Sequence, residues 1–430
     1  MENFIGYGTL DDIQAKPSSA VTGISTRLKR IVVYGMNYAP EMAGVGRYTG
    51  EIAEYLAEGG VEVVAVTTPP HYPGWKVKQA FSNRYSKSQE NGVTVMRVPL
   101  ILRQRMGGIW RLIAPLSFAL TSAPVVIWQI LRTRPQVVFC VEPTLFAAPA
   151  AQFAAWLAGA STVLHVQDLE VDAAFAVGHL KGNGVLRRLG LLFERLTLSR
   201  FTRIVTISTR MAEKIAEKGV KPEKISIVRN WVDLSFIFPL SRETPYRAEL
   251  GYSLDDFVVL YSGNIGAKQG LGILLRAAEQ LKDNEQIKFV VAGEGPAKPE
   301  LERLYGDLPN VRFLPFQPYE RLNDFLNLAD LHALPQDKGA ADLVLPSKLG
   351  GMLASGKQIV VTAERGTELA DFLGDLVHTT EPGDPGALAA AILSACDAPK
   401  GTPDARLELA RKLSRTDGLR SLVDAVSGRS

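Results

Sequence analysis

Short runs of β-branched and apolar residues recur along this chain in two successive series, most of them separated by helical stretches. Arg30–Gly35 (RIVVYG) and Val61–Thr67 (VEVVAVT) open the first series. Thr94–Val98, Gln136–Val141, Thr162–Val166, Arg203–Ile207 and Ile225–Val228 continue it. Phe257–Tyr261, Lys288–Ala292, Val311–Leu314, Leu331–Leu334 and Gln358–Thr362 form the second. Unbroken apolar runs of this length suit strands buried on both faces of a parallel sheet. Alternation with helices predicts an α/β chain with doubly wound sheets, and the restart predicts two such domains. The 430 residues are enough for two full cores.

The expected division is a flexible extension over 1–27, a first α/β domain over 28–229, a connection over 230–246, a second domain over 247–402, and a basic amphipathic helix over 403–430 that crosses back. The connection is placed at NWVDLSFIFPLSRETPY because that stretch is aromatic, contains prolines and has no clean period. The first 27 residues lack a basic start followed by an apolar core, so they do not read as a secretory signal. Apolar residues make 46% and charged residues 22%, an ordinary globular balance. A formal net charge of +3 gives no ground for a nucleic-acid partner. The two cysteines, Cys140 and Cys396, stand alone in apolar segments and fit a reducing compartment. The histidines and cysteines make no zinc spacing, and no Asp-x-Asp triplet is present to hold a metal against a phosphate.

Five segments carry the residue types of a phosphate- and sugar-handling site. In NYAPEMAGVGRYTG, Gly44, Gly46 and Gly50 stand at the start of a helix, where a bare backbone and a helix amino end favour an anion. A dinucleotide fingerprint fits poorly there, because the glycine spacing differs and strand two ends in Thr67 and Thr68 instead of an acid. SGNIGAKQGL follows the first strand of the second series, with Gly263 and Gly266 for close approach and Lys268 opening the next helix. A cation in a first helical turn opposes the helix dipole, which argues for a functional reason. AGEGP, with Glu294, ends the following strand. LPSKLGGMLASG places Pro346 at a helix start, with Ser347 and Lys348 aimed at an anion. LHVQDLEVD puts His165, Asp168, Glu170 and Asp172 at a first-domain strand end, a place for substrate positioning and proton handling.

As an ordered set these motifs resemble glycosyltransferase family 4, and more narrowly the branch that builds bacterial exopolysaccharides of the colanic acid type. The resemblance runs from about Lys29 to about Leu393. It implies a GT-B fold, two doubly wound Rossmann-like domains facing a central cleft. It implies a retaining transfer without metal or other cofactor from a nucleotide diphosphate sugar, GDP- or UDP-linked, to a polyprenyl-diphosphate-linked acceptor. Lys268 would pair with the diphosphate, with Gly263, Asn264, Ser347, Lys348 and Leu349 around phosphates and ribose. Glu294 would lie near the sugar or nucleotide, His165 and Asp168 would orient the transferred sugar, and the Gly44–Gly46 loop would close over the diphosphate. Two positions depart from the family pattern: Asn264 stands where an arginine is usual, and Gly351 where a ribose-binding glutamate is usual. A catalytically inactive nucleotide-sugar-binding module of the same fold is the rival these departures would support; an epimerase is a third reading.

Arg103, Arg105 and Arg111 precede a mostly apolar stretch, Leu112–Leu131, with Trp110 and Trp128 near its ends. Its length suits a bilayer. Pro115, Pro124 and several polar residues interrupt it, and a span would separate Gln136 from the earlier strands of its sheet. The reading is one or two helices whose apolar face lies on the membrane, helped by a second basic run over Lys181–Arg203, at the inner face of the cell membrane. The competing reading is a helix pair packed on the sheet.

Overall fold

The computed structural model describes residues 28–41, 44–72, 74–103, 110–143, 145–169, 184–241, 243–266, 269–338, 345–398 and 404–428. Lys268, Glu170 and Asp172 lie outside the described residues. By packing, the chain divides into two units, one running to Phe139 with Pro149–Ser161 added, the other made of Cys140–Ala148 and Thr162 onward.

The first series forms β1 (Arg30–Tyr34), β2 (Glu62–Thr67), β3 (Ser86–Glu90), β4 (Val93–Arg97), β5 (Val137–Glu142), β6 (Ser161–Val166), β7 (Arg203–Thr206) and β8 (Ile225–Ile227). The sheet order is β3-β4-β2-β1-β5-β6-β7-β8. β1 and β2 run parallel, as their unbroken apolar runs require. β3 is an addition to the sequence reading. It pairs antiparallel with β4 through a two-residue turn, Asn91 and Gly92, both with positive φ. Asn-Gly is the usual hairpin turn, but SKSQE is polar and escapes an apolar-run search. A polar strand suits this place because it forms the sheet edge.

In the first unit, helix Val45–Glu58 follows β1, with Gly44 at its start as the sequence suggests. The buried Arg97 side chain donates to the Ala39 carbonyl at 3.0 Å and to Glu90, which pins the loop that leads into that helix. Helix Trp110–Thr133 packs on β1 and β2 as one continuous element despite Pro115 and Pro124. Its hydroxyls bond back to its own carbonyls: Ser122 Oγ donates to Phe118 O at 2.5 Å and Thr121 Oγ1 to Ser117 O at 3.0 Å. The helix is long and apolar enough to cross a membrane. It nevertheless joins two strands of one sheet, which places both of its ends on one side.

In the second unit the later series forms β9 (Phe257–Ser262), β10 (Ile287–Ala292), β11 (Val311–Leu314), β12 (Leu331–Leu334), β13 (Gln358–Thr362) and β14 (His378–Thr380). The paired strands are parallel, in the order β11-β10-β9-β12-β13-β14. This is the Rossmann order, with the direction of winding reversing between β9 and β12. Helix Leu271–Gln280 buries Ile273, Leu274, Leu275, Ala277 and Ala278 against one face together with helix Pro385–Asp397. Helix Leu349–Ala354 lies in a separate core with Val232, Leu409 and Leu413.

The chain after residue 403 is two helices, Asp404–Arg411 and Arg415–Ser427, where the sequence suggests one. The break has a cause. Val232 pairs its backbone with Leu413 and Arg415, and Ser414 caps the second helix by accepting from Asp417 N. The last turn meets β7, with Arg203 Nη1 donating to Val426 O at 3.2 Å.

Candidate functional site

In an open α/β sheet, ligands bind at the carboxyl ends of the strands where the winding reverses. Between β9 and β12 that point is formed by the loops after β9, β10 and β12. The first two are knitted backbone to backbone. Gly263 N donates to Ala292 O at 3.0 Å, Ile265 N to Glu294 O at 2.9 Å, and Ala297 N to Ile265 O at 3.1 Å. Such contact excludes side chains: a Cβ on Gly293 (φ +147°) would lie 1.8 Å from Gly263 O. A Cβ on Gly295 would lie 2.3 Å from Ile265 O. The third loop joins them through Gly270, whose left-handed backbone lies against the Gln336 main chain. Thr362 fixes that segment by donating to Gln336 O at 2.8 Å.

Lys348 sits at the centre of this edge. Its Nζ lies 3.8 Å from the centroid of the Tyr261 ring, and its chain passes Gly263 closely enough that a Cβ there would touch Cδ at 3.4 Å. The ammonium is buried and has no hydrogen-bond partner among the described residues. Burial lowers its pKa from the ordinary 10.5 to about 7. A buried cation with only a ring face for company is costly unless an anion joins it. Tyr261 is itself held by its hydroxyl, which donates to Asn264 O at 2.6 Å.

The other residues expected at this edge fall out as follows. Gly263, Asn264, Glu294 and Lys348 are brought together by the knitted loops. Asn264 and Ser347 are exposed. Glu294 accepts from Lys298 Nζ at 2.9 Å, and Lys298 also donates to the Gly293 and Leu314 carbonyls. Lys298 and Tyr261 were missed from sequence; the i,i+4 spacing of Glu294 and Lys298 was the available signal. Leu349 is fully buried in the core, and its N–H closes a turn on Pro346 O at 2.9 Å. Its helix begins at Leu349, after Ser347 and Lys348. The other motif helix is described from Leu271, with Gly270 as its cap. At Gly351 a Cβ would lie 3.0 Å from Leu326 Cδ1, and at Gly350 3.0 Å from Val232 Cβ, so this helix face is given over to packing.

Elsewhere in the second unit, His165 lies on β6 and is buried, while Asp168 is exposed. Gln167 Nε2 stands 3.2 Å from His165 Nε2, and the Gln167 and Asn230 amides bond to each other reciprocally at 3.1 and 3.0 Å. Burial lowers the His165 pKa to about 4 and the His332 pKa to about 3. Both rings are therefore neutral near pH 7, which makes His165 a hydrogen-bonding group there and not a cationic acid. Unfolded, the rings take up protons near pH 6.5; folded, only near 4 and 3. Stability is thus full above the unfolded value and is lost as pH falls below it. Denaturant melts at pH 7 and pH 5 will show this loss, and His165→Gln will reduce it.

In the first unit, Gly44 caps helix Val45–Glu58 with φ +65°. Gly46 and Gly50 answer to packing: a Cβ would lie 2.3 Å from Glu41 Oε2 and 2.7 Å from Ala39 Cβ, respectively. The buried Glu41 carboxylate accepts from Asn37 Nδ2, His71 N and Tyr72 N, each at 3.0 Å.

Comparison with known proteins fits this geometry. Residues 43–231 match the glycosyl transferase 4-like domain, and residues 256–397 the glycosyl transferases group 1 domain. The chain is 39% identical over 409 residues to the putative colanic acid biosynthesis glycosyl transferase WcaI of Escherichia coli K12, covering 93% of this chain and 100% of that one. It is 31% identical over 209 residues to the D-inositol 3-phosphate glycosyltransferase of Mycobacterium tuberculosis, covering 46% and 42%. Anabaena HepE in complex with UDP and glucose shares the fold, with TM-score 0.67 and 16% identity over 93% of this chain and 100% of that one. WaaG, a glycosyltransferase involved in lipopolysaccharide biosynthesis, shares it with TM-score 0.61 and 16% identity over the same shares. With two Rossmann-like sheets and both domain matches in place, the chain belongs to the GT-B glycosyltransferases that join a glycosyl transferase 4-like domain to a group 1 domain.

Proposed function

We propose that this enzyme takes its sugar from a nucleoside diphosphate sugar, UDP- or GDP-linked, and passes it with retention to a saccharide carried on a polyprenyl diphosphate. The product belongs to a bacterial exopolysaccharide, a reading supported by the name of the Escherichia coli relative. The observation that carries the donor assignment is the ammonium of Lys348, buried at the carboxyl edge of β9 with no hydrogen-bond partner among the described residues.

Breaking the sugar–phosphate bond leaves negative charge on the departing diphosphate. In this reading Lys348 meets that charge at once, because burial has already removed its water. Gly263 offers bare backbone beside it, Ser347 and Asn264 supply polar groups, and Lys268 provides a second cation. These protein groups do the work a metal does in other transferases. Glu294, held by Lys298, reaches the sugar or nucleotide. Neutral His165 and Asp168 orient the transferred ring. A lipid-borne acceptor sets the reaction at the inner face of the cytoplasmic membrane.

Melting the protein with UDP-, GDP-, dTDP- and ADP-sugars in turn tests the donor assignment. A true donor at about 100 times its dissociation constant stabilises by about 2.7 kcal/mol. If no nucleotide sugar raises the melting temperature, the assignment is wrong.

A further inference from the structure

The first sheet has a winding reversal of its own, between β1 and β5. The loop after β1 borders that point at the carboxyl edge, with the loop after β2 alongside. The two loops are bound together within the first unit. Thr68 Oγ1 donates to Met36 O at 2.8 Å and Lys78 Nζ to Pro40 O at 3.0 Å, while the Glu41 carboxylate takes both His71 N and Tyr72 N. His71 is 1% exposed. Its Nδ1 lies 3.0 Å from Pro69 O, which can only accept. The proton of the neutral ring therefore sits on Nδ1, and Nε2 carries the lone pair. Nε2 is buried and has no hydrogen-bond partner among the described residues. A buried acceptor without a donor is costly and rare.

Two aromatic rings stand next to that nitrogen. The Trp75 ring centroid lies 5.7 Å from that of His71 and 6.2 Å from that of Tyr72, meeting the tyrosine edge to face at 83°. Tyr72 is exposed and Trp75 half-buried. Trp75 also has φ +51°, a strained backbone for so bulky a side chain, and strain of this kind gathers at ligand clamps. Shape and charge name the ligand. Two rings at a right angle make a corner, whereas a flat base asks for parallel walls. A pyranose fits a corner: its C–H face lies on one ring and its rim of hydroxyls is free to meet a fixed polar group. Glu41 Oε1 lies 3.7 Å from His71 Nδ1, so a carboxylate stands behind the imidazole. That charge repels a phosphate or a sugar acid and leaves a neutral sugar as the favoured occupant.

We propose that His71, Tyr72 and Trp75 hold an uncharged sugar ring of the acceptor, one of whose hydroxyls donates to His71 Nε2. Trp75 turns from its strained backbone conformation to lie along the sugar as the hydroxyl reaches the covered nitrogen. The proposal rests on the reading of a saccharide acceptor, and adds which residues select its sugar and that this sugar carries no charge.

Saturation-transfer NMR on the full chain tests it, with the methyl glycosides of glucose, galactose, mannose and N-acetylglucosamine, and methyl glucuronide as the charged control. The wild type is expected to bind at least one neutral glycoside and to leave the glucuronide free. Trp75→Gly should bind that glycoside at least about tenfold more weakly. It should nevertheless melt close to the wild type, because glycine adopts the positive φ without strain. His71→Leu, which removes the lone pair, should weaken the same glycoside to a similar extent. Stabilisation by nucleotide sugar should be unchanged in both variants, since these residues lie outside the donor edge. A wild type that binds no neutral glycoside, or binds the glucuronide as well as the neutral ones, would overturn the proposal. So would Trp75→Gly that binds like the wild type, or that loses binding only together with a large fall in melting temperature. Failure of glycoside binding with donor stabilisation intact defeats the sugar site alone; failure of donor stabilisation in the wild type defeats the transferase reading whatever the glycosides show.

Discussion

Replacing Lys348 by methionine is expected to lower kcat/KM by about 100- to 1,000-fold, the usual cost of one donor aimed at developing charge. The same change should leave the ligand-free protein at least as stable at pH 7. Methionine keeps the packing against Tyr261 but removes an ammonium that burial penalises. The pH dependence gives the sign. Lys348 has a folded pKa of about 7 against an ordinary 10.5, so between those values the unfolded chain holds a proton that the folded chain has lost. Ligand-free stability therefore rises with pH across that window in the wild type, and this rise should be missing in Lys348→Met. Turnover and thermal melts on the two proteins check both halves. Loss of activity accompanied by a large fall in stability would assign Lys348 to the scaffold instead.

The second large effect is on stability. Gly293→Ala should cost about 3 kcal/mol or more, because its Cβ meets a backbone oxygen at 1.8 Å and its φ of +147° strains any side chain. Neither partner is the flexible end of a side chain, so relief requires pulling the loops after β9 and β10 apart. At about 2–4 °C per kcal/mol, a melting temperature lower by about 6–12 °C is expected. Nucleotide-sugar binding should weaken as well, since Gly263 and Glu294 belong to the same knitted edge. A Gly293→Ala protein that melts like the wild type would show that the two loops do not touch in solution.

Much of the fold was legible because each buried parallel strand announces itself as an apolar run. The strands of the second series lie where those runs stand, and their parallel pairing follows from alternation with helices. β3 and β14 were hidden because each is an edge strand with no need of an apolar run, SKSQE in one and HTT in the other. The single C-terminal helix was a reasonable reading of a continuous amphipathic period. It breaks only because Val232, from far away in the chain, pairs with the backbone on both sides of Ser414. The site divides in the same manner. Gly263, Glu294 and Lys348 could be picked out from local motifs at strand ends. The ring of Tyr261 under Lys348 depends on β9 lying beside β12, which no local pattern carries. The glycines of the first loop were legible as special, but Gly46 and Gly50 are explained by Glu41 and Ala39 packed against their helix.

The central claim is that Lys348 holds the donor diphosphate. Calorimetric titration of a UDP- or GDP-sugar, on wild type and Lys348→Met at a series of pH values, tests it most directly. A sugar ester of a nucleoside diphosphate has no phosphate proton to lose in this range, so the lysine supplies the linkage. Wild-type affinity should fall by about tenfold per pH unit above pH 7, where the free lysine is neutral and binding must recruit a proton. Lys348→Met should bind weakly with no such slope. Equal affinities and equal slopes in the two proteins would contradict the account.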